Sequence, residues 1–510
     1  LVMLEGEAAA VTEADAIAAI AQASEWIARC HKAFAELRAT AGAPPKLEPP
    51  PPTTLPTVPG ATIEALRAAL GTAEKAARRA AIAAAKEAWI GTLADDELGG
   101  ARAAFDEAVY REMRELVLAT GRRLDGRGTA DIRPIWSEVG LLPRAHGSAL
   151  FTRGETQAIV TCTLGSPDDA LRSFALAPGL PDERFLLHYN FPPYSVGETR
   201  PLRGPGRREI GHGSLARRGL RAVLPARAEF PYTVRLESEI TESNGSSSMA
   251  TVCGGTMALL HAGVPLRRPA AGIAMGLITD GARHAVLSDI LGDEDHLGDM
   301  DFKVVGTADG ITAIQLDNKL GGLPEGVLAQ ALEQARQGRL HILGEMAKTI
   351  AAPATPSRFV PKAARLAIMP DAVGALIGPR GANIKAITEA TRAHVSVDDR
   401  GEVLIYATDQ SSAQRATAMV QRAAGVLKIG KCYRGSVTGV KDFGVFVRIN
   451  AVNEGLVPIE ELEEGHTQRA GDVASEGDEM IVAVLGADDR GRLRLSRRQA
   501  LGVSDSQIEF

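Results

Sequence analysis

The chain has 510 residues, 45% of them hydrophobic and 24% charged, a length that suits several domains and a composition that can build sizeable cores. Its formal net charge of −6 excludes a wholly basic nucleic-acid coat protein, so any contact with RNA or DNA has to come from local basic patches. Cys30, Cys162, Cys253 and Cys432 lie far apart with no CxxC pair, which argues against a structural zinc site and for reduced thiols. No signal peptide and no bilayer-length apolar run is recognisable, so a cytoplasmic protein with no membrane partner is expected.

Residues 1–43 are Ala-rich, and Ile17, Ile20, Trp26, Ile27, Phe34 and Leu37 fall at helical spacing as one apolar stripe. The proline-dense stretch 44–60 predicts an extended linker, because proline fixes φ and lacks a backbone donor. Ala-rich helix resumes over 61–119, so 21–119 is expected to form a helical module. From Gly121 the character changes. Strand-like runs at 149–152, 157–163, 232–236 and 311–316 alternate with helical segments at 214–224, 248–263 and 325–348, which predicts an α+β domain over 120–352. A Pro-containing linker at 351–357 precedes two small modules. Residues 358–425 read strand, helix, Gly-rich turn, helix, strand, strand, helix. Residues 428–499 carry short strands at 433–437, 444–448, 455–457, 480–484 and 492–495, the pattern of a small barrel, and 500–510 read as a tail.

Five segments carry chemistry. Between Asp289 and Asp301 stand six acidic residues, followed by Lys303. Carboxylates at that density repel one another, so they sit either on a solvated face or around a hard cation such as Mg²⁺ or Mn²⁺. On a strand-turn-strand, Asp295 and Asp301 would turn toward one metal, with Lys303 on the strand face of Asp301. Second, Ser247 and Ser248 open an apolar helical run, where free backbone N–H groups and hydroxyls suit inorganic phosphate; an ordinary helix cap is the plainer alternative. Third, eight arginines and one acid, Glu209, lie between Arg200 and Arg227, in a Gly-rich basic loop fit to grip a nucleic-acid backbone. Fourth, Gly378-Pro-Arg-Gly381 lies between two helices of a β-α-α-β-β-α order, the loop that clamps a single strand. Fifth, Phe443 and Phe446 in the small barrel could stack bases, with Lys441 and Arg448 available to phosphates.

Taken together these residues resemble the polynucleotide phosphorylase family. The resemblance runs through 124–129, 142–157, 191–198, Gly206-Arg-Arg-Glu-Ile-Gly-His-Gly213, Glu242-Ser-Asn-Gly-Ser-Ser-Ser-Met249 and the Ser288–Lys303 block, and covers nearly the whole chain. It implies a helical linker domain, an RNase PH-like core, a KH domain and an S1 domain of OB-fold type. It further implies processive 3′-to-5′ phosphorolysis of single-stranded RNA, reversible as polymerisation of nucleoside diphosphates, with a role in mRNA degradation. Carried over residue by residue, catalysis falls on Asp295, Asp301 and Lys303, with Asp295 and Asp301 holding Mg²⁺ or Mn²⁺. Phosphate binding falls on Ser247 and Ser248. RNA contact falls on Arg207, Arg208 and His212, with Gly378, Arg380, Gly381 and Lys385 in the KH loop and Phe443 and Phe446 in the S1 barrel. A homotrimer, and an RNA-degradation assembly with an endoribonuclease or helicase, are the partners it implies.

The sequence departs from the family pattern in places. Two RNase PH-like cores normally precede KH and S1, whereas here residues 1–20 read as the tail of a first core. Pro379 removes a backbone donor from the KH clamp, and Pro458 stands where the S1 pattern usually has His. Two alternatives follow from the same residues: an RNA-binding remnant that works through KH and S1 alone, and a nuclease that uses water in place of phosphate.

Overall fold

The computed structural model describes residues 2–45, 47–48, 54–171, 182–202, 204–324, 326–450, 452–488, 492–504 and 507–509. Part of the proline-dense linker, Arg203 and Glu325 lie outside the described residues. The chain forms two compact units, Leu1–Ser357 and Arg358–Phe510.

The first unit starts with a correction to the sequence reading. Residues 1–43 are not helix throughout: β1 (Met3–Val11) precedes α1 (Glu13–Thr40), and Thr12 caps α1 by accepting from the Asp15 N–H at 3.1 Å. Helix α1 therefore runs through the expected boundary at residue 20. It buries only Ala16 and Ile20, so most of the anticipated apolar stripe, including Trp26 and Phe34, is exposed. Helices α2 (Gly60–Leu70), α3 (Lys75–Ile90) and α4 (Leu98–Thr120) pack around Leu66, Trp89 and Phe105, all buried. Gly121, in the left-handed region at φ 66°, ends α4.

The α+β part holds two five-stranded sheets. The first is built from β2 (Ile135–Val139), β3 (Gly147–Arg153), β4 (Thr156–Gly165), β5 (Phe185–Asn190) and, after α5 (Arg207–Arg221), β6 (Thr233–Glu242), in the order β2-β3-β4-β6-β5. Only β5 runs parallel to its neighbour, β6. Next come α6 (Ser247–His261), β7 (Ala271–Thr279), β8 (His284–Ser288), α7 (Gly292–Leu297), β9 (Met300–Gly306), β10 (Ile311–Asn318) and α8 (Val327–Thr349). The second sheet has the order β1-β10-β9-β7-β8 and is antiparallel throughout. Residues 1–20 thus join the α+β part directly, through β1 paired to β10.

Helix α6 is buried from Ser247 to Leu260, which explains its apolar and small residues. A Cβ at Gly254 would meet Val160 at 2.8 Å, so glycine there lets the helix approach β4. Because α6 lies inside the core, its N-terminus opens inside the protein, and that placement creates the site described below.

In the second unit, β11 (Lys362–Ala367), α9 (Val373–Ile377), α10 (Ala382–Thr391), β12 (His394–Val397), β13 (Glu402–Ala407) and α11 (Gln410–Ala423) follow the expected order, around a core centred on Leu376, Ile405 and Ala416. The barrel comprises β14 (Cys432–Lys441), β15 (Gly444–Arg448), β16 (Glu454–Pro458), β17 (Glu479–Ala487) and β18 (Leu493–Ser496), and closes because β14 pairs with both β15 and β17. The expected tail contributes a short β19 (Ile508–Glu509) beside β14.

No helix among the described residues is long and apolar enough to cross a membrane. The four cysteines are free. Met257→Ala in α6, which removes a fully buried side chain, is expected to cost about 2–5 kcal/mol, whereas Phe34→Ser on exposed α1 stays within about 0.5 kcal/mol. Denaturant unfolding of the two variants checks both.

Candidate functional site

The six carboxylates of the acidic segment are mostly buried and divide into two groups. Four face arginines. Asp289 meets Arg133 at 2.7 Å, Arg153 at 2.6 Å and Arg127 at 3.3 Å. Arg78 and Arg79 of α3 each reach Asp293 at 3.2 Å. Glu294 accepts from Arg123 Nε at 2.9 Å, and Asp299 pairs with Arg114 of α4 at 2.5 Å. The segment is therefore not a solvated turn. It is a buried salt-bridge cluster that the helical module grips from outside.

The other two carboxylates, Asp295 and Asp301, have no arginine partner among the described residues. Asp295 ends the first turn of α7, and Asp301 stands on β9 with Lys303 two residues on, paired with Asp301 Oδ2. Burial, and then the negative charge of Asp301, hold the Asp295 carboxyl above its ordinary value, against the opposing pull of Lys303. Asp301 Oδ1 is buried without a hydrogen-bond partner. Two close, under-compensated carboxylates fit a divalent cation. Among the described residues no three His, Cys, Asp or Glu gather as a metal set, so such an ion would draw two protein ligands and complete its shell from water and phosphate oxygens, as Mg²⁺ does. The expected strand-turn-strand is interrupted by α7. The peptide carbonyls of Asp295 and His296 on α7 accept from Lys319 Nζ at 2.7 and 2.9 Å, a brace the sequence reading did not anticipate.

The Ser-rich loop lies against this turn. Gly245, at φ 96°, sits so close to the 290–292 backbone that a Cβ would meet Ile290 O at 2.3 Å. Asn244 O accepts from Arg133 at 2.6 Å, Gly245 O from Thr156 at 3.1 Å and Ser246 O from Arg153 at 3.2 Å. Arg133 and Arg153 thus bind the carbonyls of the Ser loop with one part of the guanidinium and Asp289 with another. The hydroxyls of Ser246 and Ser248 are buried without a partner, and Ser247 Oγ lies 2.7 Å from Tyr189 OH. Unsatisfied buried donors at a helix N-terminus suit an anion.

Arg207 and Arg208 open α5, seven residues earlier than the sequence suggested, because the Glu209 carboxylate accepts the Gly206 N–H at 3.0 Å and caps the helix. Both arginines are exposed. The Arg208 guanidinium stacks 4.4 Å over the Phe191 ring beside a cleft of about 820 Å³ lined by Phe191, Arg200, Leu202, Arg207 and Arg208. His212 is pushed down to about 3, first by burial and then by Lys303 and Arg208, so its ring stays neutral. Asp295, Asp301, Lys303, Ser247, Ser248, Arg208 and His212 are therefore brought into one site.

The remaining candidates lie in the second unit. Gly378 at φ 71°, Arg380 at φ 51° and Gly381 at φ 77° form the turn between α9 and α10. Arg380 and Lys385 are exposed. Asn383 Nδ2 donates to Ala375 O at 2.8 Å and tethers the two helices across the turn. On the barrel Phe443 is exposed, Phe446 is half-buried, and their rings meet edge to face at 6.2 Å. Of the flanking cations, Lys441 is exposed and Arg448 pairs with Glu454 at 3.1 Å.

A mixed helix-and-sheet core followed by KH and S1 RNA-binding modules is the class that this architecture defines. The description "3′ exoribonuclease family, domain 1" matches residues 131–265, that of the KH domain 364–422, and that of the S1 RNA-binding domain 426–498. The chain is 47% identical to the polyribonucleotide nucleotidyltransferase of Sorangium cellulosum over 99% of its own length and 68% of that protein, and 45% identical to that of Anaeromyxobacter dehalogenans over 100% and 73%. A relative of the same name in Myxococcus xanthus is 49% identical over 87% of this chain and 63% of its own length. The chain belongs to the polyribonucleotide nucleotidyltransferase family.

Asp289 offers a direct test of the cluster. Asp289→Asn leaves the buried Arg133 and Arg153 and the half-buried Arg127 under-compensated and is expected to cost about 3–5 kcal/mol. Burial pushes the Asp289 carboxyl up, but the combined charges and hydrogen bonds of Arg153, Arg133 and Arg127 hold it far below its ordinary value, so the native state keeps it ionised while the unfolded chain takes up a proton near pH 4. Its contribution is present above that pH and is lost as pH falls. Urea unfolding across pH 3–7 should therefore show the gap between wild type and variant closing toward acid.

Proposed function

We propose that this chain degrades single-stranded RNA processively from its 3′ end by phosphorolysis, releasing nucleoside 5′-diphosphates, and that it runs in reverse as a polymerase and serves mRNA degradation. The observation that carries this reading is the pairing of two carboxylates with no arginine partner among the described residues, Asp295 and Asp301, with a buried helix N-terminus at which the Ser246 and Ser248 hydroxyls lack partners. An anion-binding nucleophile site beside a cation site is what a phosphate attacking a diester requires.

In this reading Ser247, Ser248 and the first N–H groups of α6 hold inorganic phosphate. Arg207, Arg208 and His212 hold the RNA backbone so that the terminal phosphorus faces it. A phosphate oxygen bonds to that phosphorus, and the bond to the penultimate 3′-oxygen breaks. The 3′-oxygen leaves as a hydroxyl with the proton given up by the attacking hydrogen phosphate, and the terminal nucleotide departs as a diphosphate. Lys303 helps neutralise the charge that develops on the transferring group. Mg²⁺ or Mn²⁺ held by Asp295 and Asp301 would supply Lewis-acid stabilisation of the same charge. The KH turn at Gly378, Arg380, Gly381 and Lys385 and the rings of Phe443 and Phe446 bind single-stranded RNA. The family resemblance supports a homotrimer, a cytoplasmic location and an assembly with an endoribonuclease or helicase.

Labelled poly(A) incubated with Mg²⁺ should yield ADP only when inorganic phosphate is added, and Asp301→Asn should reduce that yield by about 10²- to 10³-fold. AMP formed without phosphate would replace phosphorolysis by hydrolysis. Phe443→Ala is expected to weaken poly(A) binding by roughly 5- to 100-fold, the contribution of one stacked base, as read by fluorescence anisotropy. A monomeric mass at micromolar concentration would refute the trimer.

A further inference from the structure

One buried side chain touches both halves of the site and has no part in the mechanism above. Tyr189, near the end of β5, is 4% exposed. Its hydroxyl lies 2.7 Å from Ser247 Oγ and 3.3 Å from His212 Nδ1. Its ring meets the His212 ring edge-on at 5.4 Å. Gly213 lets α5 come this close: a Cβ there would lie 3.3 Å from Tyr189 Cβ. A single phenol therefore joins the serine at the start of α6 to the histidine on α5.

The protons in this chain of three groups can be counted. Burial pushes the Tyr189 phenol up, so it stays protonated, and the neutral His212 ring carries one proton. Two directions are open. If Tyr189 donates to His212 Nδ1, Ser247 is left to donate to Tyr189, and its proton turns away from the helix N-terminus. If His212 Nδ1–H donates to Tyr189, the phenol donates to Ser247, and the Ser247 proton is free for an anion. The second direction leaves His212 Nε2 as a bare acceptor, and among the described residues Nε2 has no hydrogen-bond partner. An acceptor there suits a hydroxyl donor on the substrate, such as a ribose 2′-hydroxyl.

We propose that Tyr189 is a positioning residue that couples the two substrate sites: phosphate bound at Ser247 orients the Ser247–Tyr189–His212 chain so that His212 presents Nε2 as an acceptor to the ribose of the RNA. This rests on the reading of Ser247 as a phosphate ligand. Phosphate binding and RNA reading are then cooperative, since each selects the same direction of the chain.

The test combines kinetics with the ring tautomer of His212. In wild type, titration with inorganic phosphate should shift the His212 ¹⁵N resonances, assigned with His212→Gln, toward the Nδ1–H form. Tyr189→Phe keeps the ring and removes the hydroxyl. It should abolish that shift and raise the KM for phosphate by roughly 3- to 10-fold, the share of one neutral hydrogen bond, while RNA affinity without phosphate holds. Ser247→Ala separates the two layers. If it leaves the phosphate KM unchanged, the reading of the phosphate site fails. If it raises that KM while Tyr189→Phe leaves both KM and tautomer shift intact, only the coupling fails. Should Tyr189→Phe not fold, the wild-type titration decides: a tautomer that ignores phosphate overturns the proposal.

Discussion

The buried carboxylate of Asp289 is the constraint on which the rest of the site depends. Its charge is tolerable in the core only because Arg127, Arg133 and Arg153 surround it. Those arginines come from the segment after α4 and from the end of β3, so the ion cluster joins parts of the chain that are distant in sequence. Arg133 and Arg153 also bind carbonyls of the Ser loop. Asp289 itself leads into the turn that carries Asp295. One charge cluster therefore sets the spacing between the candidate phosphate site and the candidate cation site. It also explains why Asp289 keeps a left-handed backbone at φ 51°, a conformation that aspartate tolerates better than most residues.

The helical module has a second attachment to the same turn. Arg78, Arg79 and Arg114 reach Asp293 and Asp299 from α3 and α4, so a module that reads as a mere linker braces the acidic segment. Salt bridges of this kind add little net stability where they are exposed, but breaking a buried one leaves an unpaired charge. Their effect here is to neutralise Asp293 and Asp299; with Asp289 and Glu294 held by other arginines, Asp295 and Asp301 are left as the candidate cation site.

Much of the fold was legible beforehand. The KH order and the five barrel strands β14 to β18 were marked by short runs bounded by Gly and Asp turns, and α6 and α8 by long apolar periodicity. The misses have physical reasons. Strand β1 was absorbed into a helical reading because alanines suit helix periodicity and its pairing partner, β10, lies some three hundred residues away. The start of α5 was read as loop because glycines punctuate it, whereas the Glu209 cap is visible only once the helix is formed. The candidate residues of the core do come together, but Tyr189 and Lys319 were missed: a buried tyrosine in a strand and a lone lysine carry no signal in a single sequence.

By itself the sequence determined the order and types of the modules and marked the candidate site residues, because these follow from local periodicity and from short motifs with a mechanism. Tertiary structure alone decided which two of six carboxylates have no arginine partner among the described residues, and that the N-terminus of α6 opens inside the core. It also placed one tyrosine hydroxyl between Ser247 and His212. Those outcomes depend on long-range burial and on pairing between charges far apart in the chain, and no local pattern encodes either.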